Sequence, residues 1–224
     1  MTIDKKTLIA MPAMSMMHTA SAECFVNMRK GQGVSFGITQ NSLVYDARND
    51  FAWNAINQGF ERVLWIDSDM TYERDILERL YADMDDGDKQ YVSALAFTRK
   101  LPTAPVVYSD LTYEADTLKA HVEPYLDYPR DSVFKIAASG FGAVMTSVNL
   151  LKQVWDKYGP PFEPLPHMGE DISFCWRVKQ LGVPMWCDSR VKVGHIGQVE
   201  FNEQTYLNQQ KQLAGTPEEN QSVT

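Results

Sequence analysis

Through its first hundred residues the chain alternates short apolar runs with stretches of helical spacing, and this rhythm constrains the fold more than any other feature. The runs are TLIAMPA (7–13), VSFGIT (34–39), RVLWID (62–67) and YVSALAF (91–97). Between them the spacing predicts a helix over 20–28, stopped at KGQG, where Gly31 and Gly33 break it. A second helix, capped by Asn41 or Ser42, places Leu43, Ala47, Phe51 and Ala55 four residues apart and ends at Gly59. A third runs from Tyr72 to about Met84, before the turn DDGDK. Consecutive units of this kind stack their strands in parallel, with helices on both faces.

After residue 98 the alternation fails. Pro102, Pro105, Pro124 and Pro129, with scattered aromatics, predict irregular or antiparallel structure laid across the end of the sheet. Regularity returns from FKIAASGFGAVMTSVNLLKQVWDKYG, which reads as a strand, a glycine turn, a short strand and a helix. The proline-rich PPFEPLP cannot be helical and leads to a helix, HMGEDISFCWRVKQLG, ended by Gly182. VPMWCD and RVKVGHIG read as two late strands, followed by a terminal helix and a tail over 216–224.

A length of 224 residues with 44% apolar content suits one domain with a full core, expected over residues 1–215. The formal charge of −8 argues against sequence-blind binding to nucleic acid or an anionic membrane, both of which need a positive field. So acidic a chain holds a phosphorylated ligand only by screening its own carboxylates, and a divalent cation does this efficiently. Cys24, Cys175 and Cys187 are odd in number and widely spaced, which fits neither a disulfide framework nor a zinc knuckle and implies a cytoplasmic protein. KKTLIAMPAMSMMHTASA has the outline of a secretory signal, but Pro12, Ser15 and His18 interrupt it, so it reads as a first buried strand entering a loop. No apolar run reaches the roughly 18 residues of a membrane span.

The run Val63–Ile66 ends on Asp67-Ser68-Asp69. Asp-x-Asp by itself is weak, for Asp83 to Asp85 and Asp86 to Asp88 repeat it in a polar turn, where solvation is the simplest account. Position separates the first, because ligands bind at the carboxyl ends of parallel strands. Alternation puts Asp67 and Asp69 on one side of the chain, roughly 6–7 Å apart, within reach of one hydrated cation or nucleotide–metal complex. Manganese and magnesium ions prefer such oxygen ligands. The structural alternative is a helix cap by Asp69 or Thr71. Glu170 and Asp171 open a later helix, where carboxylates suit the positive end of the dipole, and His195 stands in VGHIG between glycines that clear space for an imidazole.

In combination, the strand ending in Asp-x-Asp, the SGFGAVM turn, the GEDISFCWRVKQLG helix and the following histidine resemble the GT-A glycosyltransferases, most of all the short family-two-like enzymes of bacteria and phages. DARNDFAWNAINQGFERVLWIDSDM also resembles a block of the Anp1-type mannosyltransferases. The resemblance implies a single GT-A domain with a mixed, mostly parallel sheet, a nucleotide-binding half over 1–98 and an acceptor-side half over 99–200. It implies a nucleotide-diphosphate sugar, UDP-linked by preference, whose diphosphate is bridged by Mn²⁺ or Mg²⁺. Asp69 and His195 would bind the metal, Asp67 the ribose or a metal-bound water, and Asp171 with Glu170 would deprotonate the acceptor. Pro12 and Ala13 would lie against the nucleotide; Arg48 is either a phosphate or uracil contact or a surface arginine paired with Asp46 or Asp50.

Two departures qualify this. Trp176 and Arg177 stand in reversed order relative to the usual acceptor-gripping pair, and the Anp1-type enzymes retain stereochemistry where inversion is otherwise favoured. The acceptor is open among a glycan, a hydroxymethylated DNA base and a protein hydroxyl. VLWIDSDMT also fits the first motif of haloacid-dehalogenase-like phosphatases, with Asp67 as nucleophile, although two β-α units precede it here. A non-catalytic nucleotide-sugar-binding domain is the remaining alternative, and a nucleotidyltransferase lacks its glycine-rich loop in AMPAMSMM.

Overall fold

The computed structural model describes residues 3–13, 16–114, 116–197 and 200–214. In chain order, β1 (Thr7–Pro12), α1 (Thr19–Asn27), β2 (Val34–Thr39), α2 (Val44–Asn57) and β3 (Arg62–Ile66) form the first units. They are followed by β4 (Met70–Tyr72), α3 (Ile76–Asp85) and β5 (Tyr91–Leu95). Next come β6 (Val107–Glu114), β7 (Lys119–Pro124), β8 (Val133–Ile136), β9 (Ala138–Ser139) and β10 (Ala143–Ser147). The chain ends with α4 (Val148–Tyr158), α5 (Glu170–Gln180), β11 (Met185–Ile196), β12 (Glu200–Phe201) and α6 (Glu203–Ala214).

The main sheet has the order β2-β1-β3-β10-β5-β11-β12. β2, β1 and β3 are parallel, β11 is parallel to β5, and β10 runs against both β3 and β5. Five strands therefore point their carboxyl ends the same way; β10 is opposed among them, and β4, β8 and β12 run against β11. This is the mixed, mostly parallel α/β sheet that the resemblance implies, where the alternation alone implies parallel strands.

The apolar run of β3 explains its central place: all five residues are buried, because both faces of a doubly covered sheet need side chains that leave water. Val63 and Trp65 pack on the side of α2 and α5, with Phe162 and Phe174. Leu64 and Ile66 face the other way, toward Leu77 and Leu80 of α3. The Trp65 indole N–H finds Thr146 Oγ1 at 3.0 Å, so this large side chain is buried with its polar atom satisfied.

The segment after residue 98 includes an antiparallel hairpin, β6 with β7, joined by β9 into a three-stranded sheet. The two expected late strands are instead one strand, β11, with an irregularity between Asp188 and Lys192. There the Asp188 carboxylate accepts the backbone N–H and the Nε–H of Arg190, each at 2.8 Å, and holds the kink. Beyond it β11 pairs with β4 and β12. That pairing is why the helix expected from Tyr72 begins at Ile76: Thr71 lies opposite Gly194 in a ladder. A Cβ on Gly194 would run into Thr71 and Glu200, so this glycine clears space for β4 and β12.

Two further expectations change. Neither Asn41 nor Ser42 caps α2; the cap position is Leu43, with no side-chain bond. Asp83 is not solvated: it is buried, bonds Arg190 Nη2 at 3.0 Å, and is pushed up to about 7 by burial and the neighbouring Asp188. No helix among the described residues is long and apolar enough to cross a membrane. The expected tail over 216–224 lies outside the described residues, as do Met14 and Ser15 of the first-strand loop.

Candidate active site

At the carboxyl ends of β1, β3 and β5, where they meet the start of α5 and the end of β11, lies a cleft of about 660 Å³. Its volume falls within the roughly 300–1,000 Å³ of small-molecule sites. All eight residues singled out in the sequence line it: Pro12 and Ala13 from the end of β1, Arg48 from α2, Asp67 and Asp69 beyond β3, Glu170 and Asp171 from α5, and His195 near the end of β11. Five separate segments thus deliver one set of polar groups to one place.

Arg48 is not a surface arginine. Its side chain is only 3% exposed, on the inner face of α2 with Ala47, Phe51 and Ala52. The guanidinium donates to Asp67 Oδ1 at 2.7 Å through one terminal nitrogen and to Glu170 Oε1 through the other, and it lies 5.1 Å from the centre of the Phe141 ring. One buried cation therefore ties the end of β3 to the first turn of α5, and neither Asp46 nor Asp50 is its partner. Burial pushes the Asp67 carboxyl up, Asp69 adds to the rise, and Arg48 opposes it.

Asp69 sits in a different field. Its Oδ2 accepts from Arg99 Nη1 at 2.7 Å and lies 3.5 Å from His195 Nε2. Burial pushes Asp69 up, but the bond and charge of His195 and the charge of Arg99 outweigh it and hold the carboxyl below its usual value. His195 Nδ1 lies 3.1 Å from the Phe97 carbonyl. A carbonyl only accepts, so the Nδ1–H donates to it and the ring turns Nε2 toward Asp69. The Ile196 N–H also donates to the Asp69 carbonyl at 2.8 Å, which fixes the end of β11 against this loop.

Asp171 has no cationic partner of its own among the described residues. Its Oδ1 accepts the Ile172 N–H at 2.7 Å, in the first turn of α5. Burial, then the charge of Glu170, push it up to about 6, although Arg48 pulls the other way. The backbone beneath it is bare by necessity: a Cβ on Gly140 would stand 2.7 Å from Val106 Cγ1 and 3.6 Å from Asp171 Oδ2. The clash there is with Val106; a Cβ on Gly169, just before α5, would stand 2.8 Å from Asp171 Oδ1.

The donor set fits a divalent ion with a small protein share. Asp69 Oδ2 and His195 Nε2 are close enough to share one, and a histidine oriented through its other nitrogen is the arrangement that metal ligands favour. Among the described residues no three His, Cys, Asp or Glu side chains converge to enclose one. The remaining positions are left to solvent and to an anionic ligand. The charge balance points the same way, since four carboxylates in the cleft face two guanidiniums.

Arg99 and Phe141 line this cleft and were not singled out in the sequence. Arg99 follows β5, so the rule that marks strand carboxyl ends finds it too. Phe141, under Arg48, had no signal beyond its glycine neighbours.

No protein-family model matches the sequence, and no curated protein does. Among solved structures the chain is similar to A197 from STIV, with a TM-score of 0.63 and 16% identity over 86% of each chain. It is also similar to GalNAc-T7 solved with UDP, GalNAc and Mn²⁺, with a TM-score of 0.59 and 10% identity, over 86% of this chain and 43% of that one. At these identities the likeness concerns the fold, which is GT-A.

Proposed function

We propose that the cleft transfers a sugar from a nucleotide-diphosphate donor, UDP-linked by preference, to an acceptor hydroxyl. The observation that carries this is Asp171, a carboxyl raised to about 6 and free of a cationic partner, in the same cleft as the Asp69–His195 pair. The chemistry needs both: a base for the acceptor, and a place where charge building on the diphosphate is offset. The GT-A fold and the GalNAc-T7 neighbour, solved with UDP and Mn²⁺, support the donor class.

In this reading Pro12 and Ala13 lie against the base, Asp67 faces the ribose, and Asp69 with His195 holds Mn²⁺ or Mg²⁺. The bound ion supplies positive charge against the diphosphate. Asp171 takes the proton of the acceptor hydroxyl as its oxygen bonds to the anomeric carbon and the bond from that carbon to the diphosphate breaks, which inverts the centre. Arg48 keeps Asp67 and Glu170 in place, and Glu170 acts through its charge on Asp171. The acceptor belongs to the hydroxyl class: a glycan, a modified DNA base or a protein side chain. It enters beside the hairpin β6–β7, and the chain forms one catalytic unit.

A thermal-shift panel of UDP, GDP and CMP and their sugars, each with and without Mn²⁺, tests this on the native chain and on Asp69→Ala. A ligand at about 100 times its Kd stabilises by about 2.7 kcal/mol. A rise in melting temperature for one nucleotide diphosphate, dependent on Mn²⁺ and absent in Asp69→Ala, is expected. Release of phosphate from a simple phosphomonoester with no response to any nucleotide would sink the transferase reading and make Asp67 a phosphatase nucleophile.

A further inference from the structure

Arg99 makes one contact in the cleft, and it is to the oxygen a cation would need. Its Nη1 donates to Asp69 Oδ2, the same atom that faces His195 Nε2. The Arg99 side chain is 52% exposed and bonds no other group among the described residues, so Asp69 is its one bonded partner there. Arg48 offers the contrast: buried and bonded at both ends, it has nowhere to turn. A divalent ion and a guanidinium cannot both sit against one carboxylate oxygen without strong like-charge repulsion. A displaced guanidinium at the mouth of this cleft meets whatever anion arrives with the ion, and its planar fork suits phosphate oxygens.

We propose that Arg99 is a charge placeholder: it holds Asp69 until a divalent cation takes that carboxylate, then turns to the diphosphate that accompanies the cation. Resting on the nucleotide-sugar reading above, this assigns to a residue outside the predicted set both the guarding of the cation site and the binding of the anion. It makes Mn²⁺ and nucleotide bind cooperatively, because the ion frees the arginine that the nucleotide needs.

The test is calorimetric titration of native protein, Arg99→Met and Asp69→Asn, first with Mn²⁺ alone and then with UDP at saturating Mn²⁺. Losing one exposed competitor pair tightens Mn²⁺ binding in Arg99→Met by up to about fivefold. Losing a charge-assisted bond to phosphate weakens UDP by about tenfold or more. Circular dichroism checks that the variants stay folded. If Asp69→Asn abolishes Mn²⁺ binding while Arg99→Met changes neither affinity, or only one of them, the placeholder is overturned and the donor site stands. Absence of any Mn²⁺ or UDP binding to native protein overturns both.

Discussion

Two pairs of carboxylates stand across one arginine, and the member of each that the arginine does not bind is tuned oppositely to the other. Asp67 and Asp69 follow a strand; Glu170 and Asp171 open a helix. In each pair one member, Asp67 or Glu170, is bound to Arg48. The other member is what differs. Asp69 has His195 and Arg99 against it and is held below its usual value, so it stays an anion and can carry a cation. Asp171 has burial and the charge of Glu170 against it and is pushed up to about 6, so it holds a proton more readily than an ordinary carboxyl does. Four acids of nearly the same chemistry sit in different fields, and titratable groups pushed apart in this way are candidates for acid–base assignments.

The sharpest break of that contrast is Asp171→Asn. The amide keeps the shape and removes the base of the proposed transfer, so turnover is expected to fall by about 10²- to 10⁴-fold while any Mn²⁺-dependent melting shift with nucleotide stays at its native size. An equal loss of nucleotide binding would place Asp171 in the donor site and erase the distinction between the pairs.

Arg48→Met breaks both pairs at once. It leaves Asp67 and Glu170 facing each other without their common cation, and removing one partner of a buried pair costs about 3–5 kcal/mol. Asp67 is 29% exposed and Glu170 17%, which puts the cost near the lower end. In a domain of this length, about 3 kcal/mol lowers the melting temperature by about 6–12 °C. A drop of only a degree or two, read by circular dichroism, would mean that the cleft tolerates its charges without Arg48.

The strand run 62–66, the alternation around it and the position of Asp67 were legible because periodicity and topology act locally along the chain. The bridge through Arg48 was not, since nothing in DARND states that this arginine faces inward toward an acid 122 residues later. The same limit explains the single strand β11. VPMWCD and RVKVGHIG are separated by a kink that Asp188 and Arg190 hold together, and only the completed sheet shows that pairing continues through it. Asp83 makes the same point from the other side: it read as a solvated turn acid, and its burial follows from Asp188 and Arg190, far away in sequence.

Glu170→Gln is the mildest change and the most specific probe of how the second pair is tuned. Glu170 raises the Asp171 carboxyl by its charge, after burial, so neutralising it moves that carboxyl down from about 6. A base must be unprotonated, so under the proposed transfer kcat/KM of the native protein rises with pH through about 6, and in Glu170→Gln this limb moves to lower pH. At pH 5 the variant therefore gains relative to its own plateau, by less than about tenfold, since a full unit is a factor of ten. Stability carries the matching sign. A carboxyl raised from 3.8 to about 6 binds more protons folded than unfolded between those values. Its contribution is fully present below pH 3.8 and lost as pH climbs through about 6. Denaturant titrations from pH 4 to 7 then show a shallower decline in Glu170→Gln than in native protein. A native-like pH limb with an unchanged decline would mean that burial alone sets Asp171, and that the second pair works as one acid with a silent neighbour.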